Sequence, residues 1–128
     1  MKIILASGSP RRKELLNLII SEFEVKVSEA EEILDDNIEP EEQATQLAHL
    51  KAKEVFEKTR GDRIVIGADT VVAKNSKIYG KPKSREHAKQ IIKQLLEGDK
   101  THNIITGLSI FIENKRKLNN KNYDNNRT

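Results

Sequence analysis

Hydroxyl groups, a helix-start signal and two cations come together near the N-terminus, at Ser7, Ser9, Pro10, Arg11 and Arg12. Ser9 is placed to cap a helix whose first residue is Pro10. A helix N-terminus presents unpaired N–H groups and partial positive charge, so two arginines there are unfavourable unless an anion lies opposite. The pattern therefore fits a phosphate site. Taken alone, it fits two solvated arginines on a short surface helix slightly better.

A single acid, Asp69, stands inside an apolar stretch, between Ile66 on one side and Val71 on the other. Charged groups are rarely buried without a partner, a metal or a chemical role. Gly67 and Ala68 keep the approach to this acid uncrowded, as a ligand site requires. A structural aspartate that caps a turn or pairs with a nearby lysine fits the pattern equally well.

Two lysines could supply further positive charge to such a site. Lys51 lies seven residues after Ala44, in the middle of an apolar helical stripe, where it must bury much of its stem. A lysine at the edge of the stripe whose ammonium reaches water is the more ordinary interpretation. Lys81 lies between Gly80 and Pro82 on a constrained loop, and it comes near Asp69 if that hairpin folds back. Exposed loop lysines are common, so this signal is weak by itself.

The alternation of strand and helix patterns predicts an α/β fold that positions these residues. Helices are predicted to start at Pro10, at Pro40 and after Ser84, the second ending near Thr59, each with an apolar face. The acidic stretch 29–39 is predicted to be a loop. Strands are predicted over residues 2–7, 23–27, 63–74 with an interruption at 67–70, 77–79 and 102–113.

The composition favours one cytoplasmic domain. The chain has 128 residues and no cysteine, which excludes disulfides and thiolate zinc sites. No apolar run reaches the roughly 20 residues that span a bilayer, so no membrane association is expected. The net charge of +3 lies partly in the C-terminal tail, and three Phe and two Tyr form no spaced stacking platform. The composition therefore does not favour nucleic acid as a partner.

Four stretches together resemble the Maf family of nucleoside triphosphate pyrophosphatases, once described as septum-formation inhibitors. The opening motif and Gly-Ala-Asp-Thr-Val-Val are specific in combination. All four candidate features fall on motif positions of the family, which favours the functional interpretation of each. They are the candidate phosphate-binding segment 7–12, Lys51, Asp69 and Lys81. The stretches are residues 5–12 with 14–16, 47–48 with 51–52, 67–72 and 80–82, and Ala88 and the weaker Thr106-Gly107 continue the resemblance.

The resemblance implies an extended mixed sheet flanked by helices, with a deep cleft between two lobes, and a possible homodimer. It implies hydrolysis of dTTP and UTP, including modified pyrimidine nucleotides, to the monophosphate and pyrophosphate with Mg²⁺ or Mn²⁺. By position, Asp69 would be the general base or a metal-linked carboxylate, and Glu32 would help to hold the metal. The residues implied to bind substrate are Ser7, Ser9, Arg11, Arg12, Lys51, Thr70 and Lys81, with Arg11 and Thr70 associated with the dTTP/UTP preference.

The resemblance stops near Ile112, so residues 1–113 are predicted to form a Maf-like nucleotide-binding domain that lacks the C-terminal part of the family domain. Residues 114–128, rich in Asn and Lys, are predicted to be a disordered tail. Family members continue into a segment with a base-recognising glutamine. Two alternatives follow: a non-catalytic nucleotide-binding protein whose activity is lost through truncation, and a division-related or nucleic-acid partner that uses the basic tail.

Overall fold

The computed structural model describes residues 1–35, 37–75, 77–79, 83–98 and 102–115. Its elements confirm the predicted α/β class, with five strands in one mixed sheet and three helices. The strand predicted over 23–27 is reduced to two residues. In chain order the elements are β1 (Lys2–Leu5), α1 (Pro10–Asn17), β2 (Glu24–Val25), α2 (Pro40–Lys58), β3 (Arg63–Lys74), β4 (Lys77–Tyr79), α3 (Arg85–Leu96) and β5 (Asn103–Glu113).

Strand β3 is the centre of the sheet. Along one edge it pairs antiparallel with β5 over nearly its whole length. Along the other edge its first four residues pair parallel with β1, and its last three pair antiparallel with β4. No described strand pairs with residues 67–71 on that second edge, so β1 and β4 leave a gap between them beside the middle of β3.

The interruption predicted at 67–70 is wrong, because β3 runs unbroken through these residues. Gly67 pairs with Ser109 and Thr70 pairs with Thr106 in the ladder with β5. Close packing against α2 explains the glycine at position 67 instead. A Cβ at Gly67 would lie 2.5 Å from the carbonyl oxygen of Ala48 in α2. The glycine therefore permits a close helix–strand contact and does not break the strand.

Helix α2 covers one face of the sheet. Pro40 is its first residue, acidic side chains occupy its first turn, and Lys58 lies in its last turn, as the helix dipole favours. It meets β3 at Gly67 and β5 at Gly107, where an added Cβ would clash with the backbone of Ala44. The side chains buried between α2 and the strands include Ile4, Ala44, Leu47, Ala52, Val55, Val65 and Val71.

Within the described ranges, no helix packs closely over the opposite face of the sheet along β5. We call this the open face, defined by Ile104, Leu108, Ile110 and Ile112, which are 52–68% exposed. Helix α1 lies beside it, and neither α1 nor α3 has a buried residue. The apolar face predicted for α1 is wrong in part, because the helix ends at Asn17 and includes only Leu15 and Leu16 of that face. The apolar face predicted for α3 is present but remains largely in contact with solvent.

Two further predictions concern the whole chain. None of the helices within the described ranges has a stretch long and apolar enough to cross a bilayer. The domain boundary predicted after Glu113 is followed by only two described residues, Asn114 and Lys115. The rest of the predicted tail lies outside the described residues.

Candidate functional site

A cleft of about 690 Å³ opens at the carboxyl end of β1, beside the gap along β3. Ligands of open α/β sheets commonly bind at such a point, where neighbouring strands diverge. Seven of the residues predicted to form the site line this cleft together. They are Ser7, Ser9, Arg12, Glu32, Lys51, Asp69 and Thr70.

The turn between β1 and α1 is organised by its own hydroxyl groups. Ser9 has extended backbone, and its side chain accepts a hydrogen bond from the backbone N–H of Arg12, which makes it the predicted N-cap of α1. The Ser7 hydroxyl accepts from the backbone N–H of Ser9 at 3.2 Å. The start of α1 and two hydroxyl groups are thus held at the wall of the cleft, as the phosphate-site interpretation requires.

Arg12 crosses from α1 to the sheet. Its Nη2 donates to Thr70 Oγ1 at 2.5 Å, and its Nη1 donates to Ser7 Oγ at 3.4 Å. The Thr70 hydroxyl also shares a hydrogen bond with Thr106 Oγ1 at 3.0 Å. A chain of polar contacts therefore fixes the guanidinium at the rim of the cleft.

Thr106 is the functional candidate that the sequence analysis missed. It belonged only to the weakest part of the resemblance, and no role was assigned to it. The observation that identifies Thr106 is the register of β3 and β5, which places it directly opposite Thr70. That register becomes visible only once the two strands are paired.

Lys51 lies between two acids at the base of the cleft. Its ammonium is 2.6 Å from Asp69 Oδ1 and 2.5 Å from Glu32 Oε1. The side chain of Lys51 is 13% exposed, that of Asp69 8% and that of Glu32 30%. Lys51 therefore does not reach into bulk water as the ordinary interpretation expected. The two interpretations of Asp69 coincide, because the acid pairs with a lysine inside the candidate site.

The two carboxylates control the charge state of Lys51. Burial by itself lowers the pKa of its ammonium, but hydrogen bonds to Asp69 and then to Glu32, with the attraction of both charges, raise the pKa above its ordinary value. Lys51 is therefore a permanent cation at neutral pH.

The loop that carries Glu32 is fastened to α2 through Glu54. The Glu54 carboxylate accepts from the backbone N–H of Glu29 at 2.9 Å and from the hydroxyl of Ser28 at 3.1 Å. The hydrogen bond from the Glu29 backbone, followed by those of Ser28 and Lys58, lowers the pKa of Glu54 despite some opposing desolvation. The predicted loop is thus anchored three residues before Glu32.

Two predicted residues are not part of this set. Arg11 lies outside the cleft and lines a neighbouring cavity of about 560 Å³ between α1 and the open face, together with Leu15 and Leu108. Lys81 lies outside the described residues, and so do Gly80 and Pro82 beside it.

The acid pair fits a hard divalent cation. One ammonium contacts an oxygen of each carboxylate, so Glu32 and Asp69 are close enough to share one cation. Mg²⁺ is held by one or two carboxylates together with substrate phosphates and water. Within the described ranges, no group of three or more His, Cys, Asp or Glu could hold a metal. The cation would therefore depend on oxygen atoms of the substrate.

Comparison with known proteins gives two findings. The family model described as "Maf-like protein" matches residues 2–127. A "dTTP/UTP pyrophosphatase" of Bacillus cereus (strain B4264) is 49% identical over 114 residues, which are 89% of this chain and 58% of the relative. One of Lachnoclostridium phytofermentans is 43% identical over 113 residues, 88% of this chain and 56% of the relative. The chain thus spans less than two thirds of the length of these curated relatives.

Proposed function

Since this chain belongs to the Maf-like protein family, we propose that it hydrolyses dTTP and UTP, including modified pyrimidine forms, to the nucleoside monophosphate and pyrophosphate. The observation that carries the proposal is one cleft in which Arg12 and Lys51 lie with the acids Glu32 and Asp69. The names of the relatives, dTTP/UTP pyrophosphatase at 43–49% identity, support the choice of substrate.

The triphosphate would lie along the start of α1. Arg12 offers two donors in a fixed fork, which suits phosphate oxygens. Ser7 and Ser9 add hydroxyl groups, and the first N–H groups of α1 favour negative charge at that end of the helix. Lys81, which follows β4 in the sequence, is proposed as a further phosphate contact, and Arg11 with Thr70 as contacts that favour a pyrimidine nucleotide.

Asp69 is proposed as the group that takes a proton from water. The water oxygen forms a bond to the α-phosphorus, the bond between that phosphorus and the bridging oxygen to the β-phosphate breaks, and pyrophosphate leaves with the bond electrons. Asp69 is 6% exposed and borders the gap along β3, so it can hold a water molecule at a fixed place. Lys51 and Arg12 stabilise the charge that develops on the phosphate oxygens.

The charge balance of the cleft supports a requirement for Mg²⁺ or Mn²⁺. Among the described lining residues, the cations Arg12 and Lys51 are matched by the carboxylates Glu32 and Asp69, so the formal charges cancel. A triphosphate needs a positive site. When bound by Glu32 and Asp69, a divalent cation would supply that charge and polarise the phosphate oxygens.

The test is release of pyrophosphate from dTTP and UTP, compared with dATP and CTP, in Mg²⁺ or Mn²⁺ and in EDTA. Asp69→Asn should abolish release while circular dichroism shows a folded chain. Glu32→Gln should raise the metal concentration required, whereas Glu31→Gln, the exposed neighbour, should not. Nucleotide binding by calorimetry without any pyrophosphate release from the unmodified chain would contradict the proposal and favour a non-catalytic nucleotide-binding protein.

A homodimer is a second proposal, which rests on the family resemblance. Neither this proposal nor the catalytic one includes nucleic acid. Sedimentation equilibrium of the full chain tests the dimer. A monomer that still releases pyrophosphate would remove the dimer from the proposal and leave the catalytic assignment intact.

A further inference from the structure

Lys51 is placed where a cation held by the acid pair would also have to lie. Its ammonium contacts Asp69 Oδ1 at 2.6 Å and Glu32 Oε1 at 2.5 Å, and it is the bridge between a strand and the loop before α2. The contact is largely sheltered, since the side chain of Lys51 is 13% exposed. The two carboxylates are therefore already neutralised in part by a group of the protein itself.

An ammonium and a divalent cation cannot both occupy the space between these carboxylates. Mg²⁺ and Mn²⁺ bind in proteins through carboxylate, phosphate and water oxygens, and two positive centres at such short range repel strongly in a partly buried site. Binding of the cation by Glu32 and Asp69 therefore requires that Lys51 leave at least one of these acids.

The same cleft offers Lys51 another partner. Lysine is a point charge on a flexible four-carbon stem, so its ammonium can move while its Cα stays fixed in α2. The Ser7 and Ser9 hydroxyls and Arg12 line the same cleft, which places the proposed phosphate site within the cavity that Lys51 borders. Phosphate oxygens would satisfy the ammonium after it leaves the carboxylates.

We infer that Lys51 holds Glu32 and Asp69 together in the substrate-free protein and transfers its ammonium to the phosphates when the nucleotide enters, so that nucleotide and divalent cation bind cooperatively. The inference rests on the proposed function. It adds an order to the site: the cation binds weakly by itself and tightly with the nucleotide. By linkage, the cation must strengthen nucleotide binding by the same factor.

The experiment measures the affinity of the protein for Mn²⁺ from the electron paramagnetic resonance signal of free Mn²⁺, with and without an α,β-methylene analogue of UTP. A titration of the analogue without protein gives the Mn²⁺ that the analogue itself binds. For the unmodified chain we expect the analogue to tighten Mn²⁺ binding about tenfold or more, within the usual range of coupling between two sites. Lys51→Met should bind Mn²⁺ about tenfold more tightly without the analogue, and the analogue should then tighten binding by a smaller factor than in the unmodified chain, because only the direct contacts of phosphate oxygens with the cation remain.

The control is Lys53→Met, which removes the same charge from an exposed position two residues along α2. If Lys53→Met tightens Mn²⁺ binding as much as Lys51→Met, bulk charge explains the effect and the inference is overturned. It is also overturned if the analogue leaves Mn²⁺ affinity unchanged in the unmodified chain, a measurement that needs no variant.

The two proposals fail in different ways. If Mn²⁺ does not bind even with the analogue, or if Glu32→Gln leaves Mn²⁺ affinity unaltered, the metal site of the proposed function fails and this inference fails with it. If Mn²⁺ binds through Glu32 but its affinity does not change with the analogue, only the role inferred for Lys51 is contradicted.

Discussion

The covered face and the open face of the sheet are built from alternating residues of the same two strands, β3 and β5, yet they differ in packing. Under α2, Gly67 and Gly107 bring helix and strands into close contact. On the open face, Leu108 and Ile110 are more than half exposed. The comparison shows that strand alternation sets which residues share a face, whereas a partner element decides whether that face becomes a core.

The candidate site uses both faces. Asp69 projects toward α2 and meets Lys51, while its neighbour Thr70 projects to the other side and meets Arg12. The acid is therefore held on the closely packed side of the sheet and the arginine on the less closely packed side. Changes on the two faces should consequently have unequal effects on stability and activity.

The largest effect on stability is expected from Gly107→Ala. The new Cβ would clash with the backbone of Ala44 and Thr45 in α2, which no side-chain rotation can relieve. We expect a loss of about 3 kcal/mol in the free energy of unfolding, measured by urea denaturation. Leu108→Ala, the next residue but on the open face, should cost no more than about 0.5 kcal/mol. Equal costs would show that the open face is covered in solution.

The next effect is on turnover. Arg12→Ala removes the guanidinium that lies between Ser7 and Thr70 at the rim of the cleft. We expect kcat/KM for UTP to fall about 100-fold, as for loss of one well-placed charged donor, with little change in Tm. Lys13→Ala, exposed on the same helix, is the matched control. A fall of similar size in both variants would contradict a specific role for Arg12.

Thr106→Val should have a smaller effect on the same reaction. It removes the hydroxyl partner of Thr70, whose Oγ1 accepts a hydrogen bond from Arg12. The loss of one hydrogen bond predicts a fall of about fivefold in kcat/KM, and Thr106→Ser should restore it. If the serine variant is as impaired as the valine variant, side-chain shape and not the hydroxyl is what matters.

The smallest effect is a pH dependence at the edge of the covered face. The pKa of Glu54 is lowered from its ordinary value of 4.5. Its contribution to the stability of the fold is therefore present above that value and is lost as pH falls through the lower, folded-state pKa. Hydrogen exchange of the Glu29 amide should accelerate relative to its intrinsic rate over that acidic range. Glu54→Gln should abolish this pH dependence, whereas Glu57→Gln should leave it in place.

Much of the architecture follows from the spacing of apolar residues and from the residues that start or end a helix. The pairs Ser9 with Pro10 and Ser84 with the helix after it fix two helix starts, because a side-chain hydroxyl can cap N–H groups that the helix leaves unpaired. The burial of Asp69 with a partner also follows from its apolar flanks. These features depend on neighbouring residues, which a sequence displays directly.

Other features depend on contacts between distant segments. Gly67 indicates a break when only β3 is considered, and its purpose appears only when α2 lies against it. Glu32 belongs to an acidic loop with no regular pattern, so only the family resemblance selected it. Thr106 required the register with Thr70. The exposure of Leu15 in α1 could not be predicted, since an apolar stripe does not specify what it will meet.

The two glycines beneath α2 have a consequence for how the chain finds its alignment. A shift of β5 by one residue would bring Thr106 or Leu108 under Ala44, where the helix backbone admits no side chain. The same shift would also turn every side chain of β5 to the wrong side. Close packing of α2 is thus compatible only with the observed pairing of β3 with β5, which is also the pairing that places Asp69 opposite Gly107.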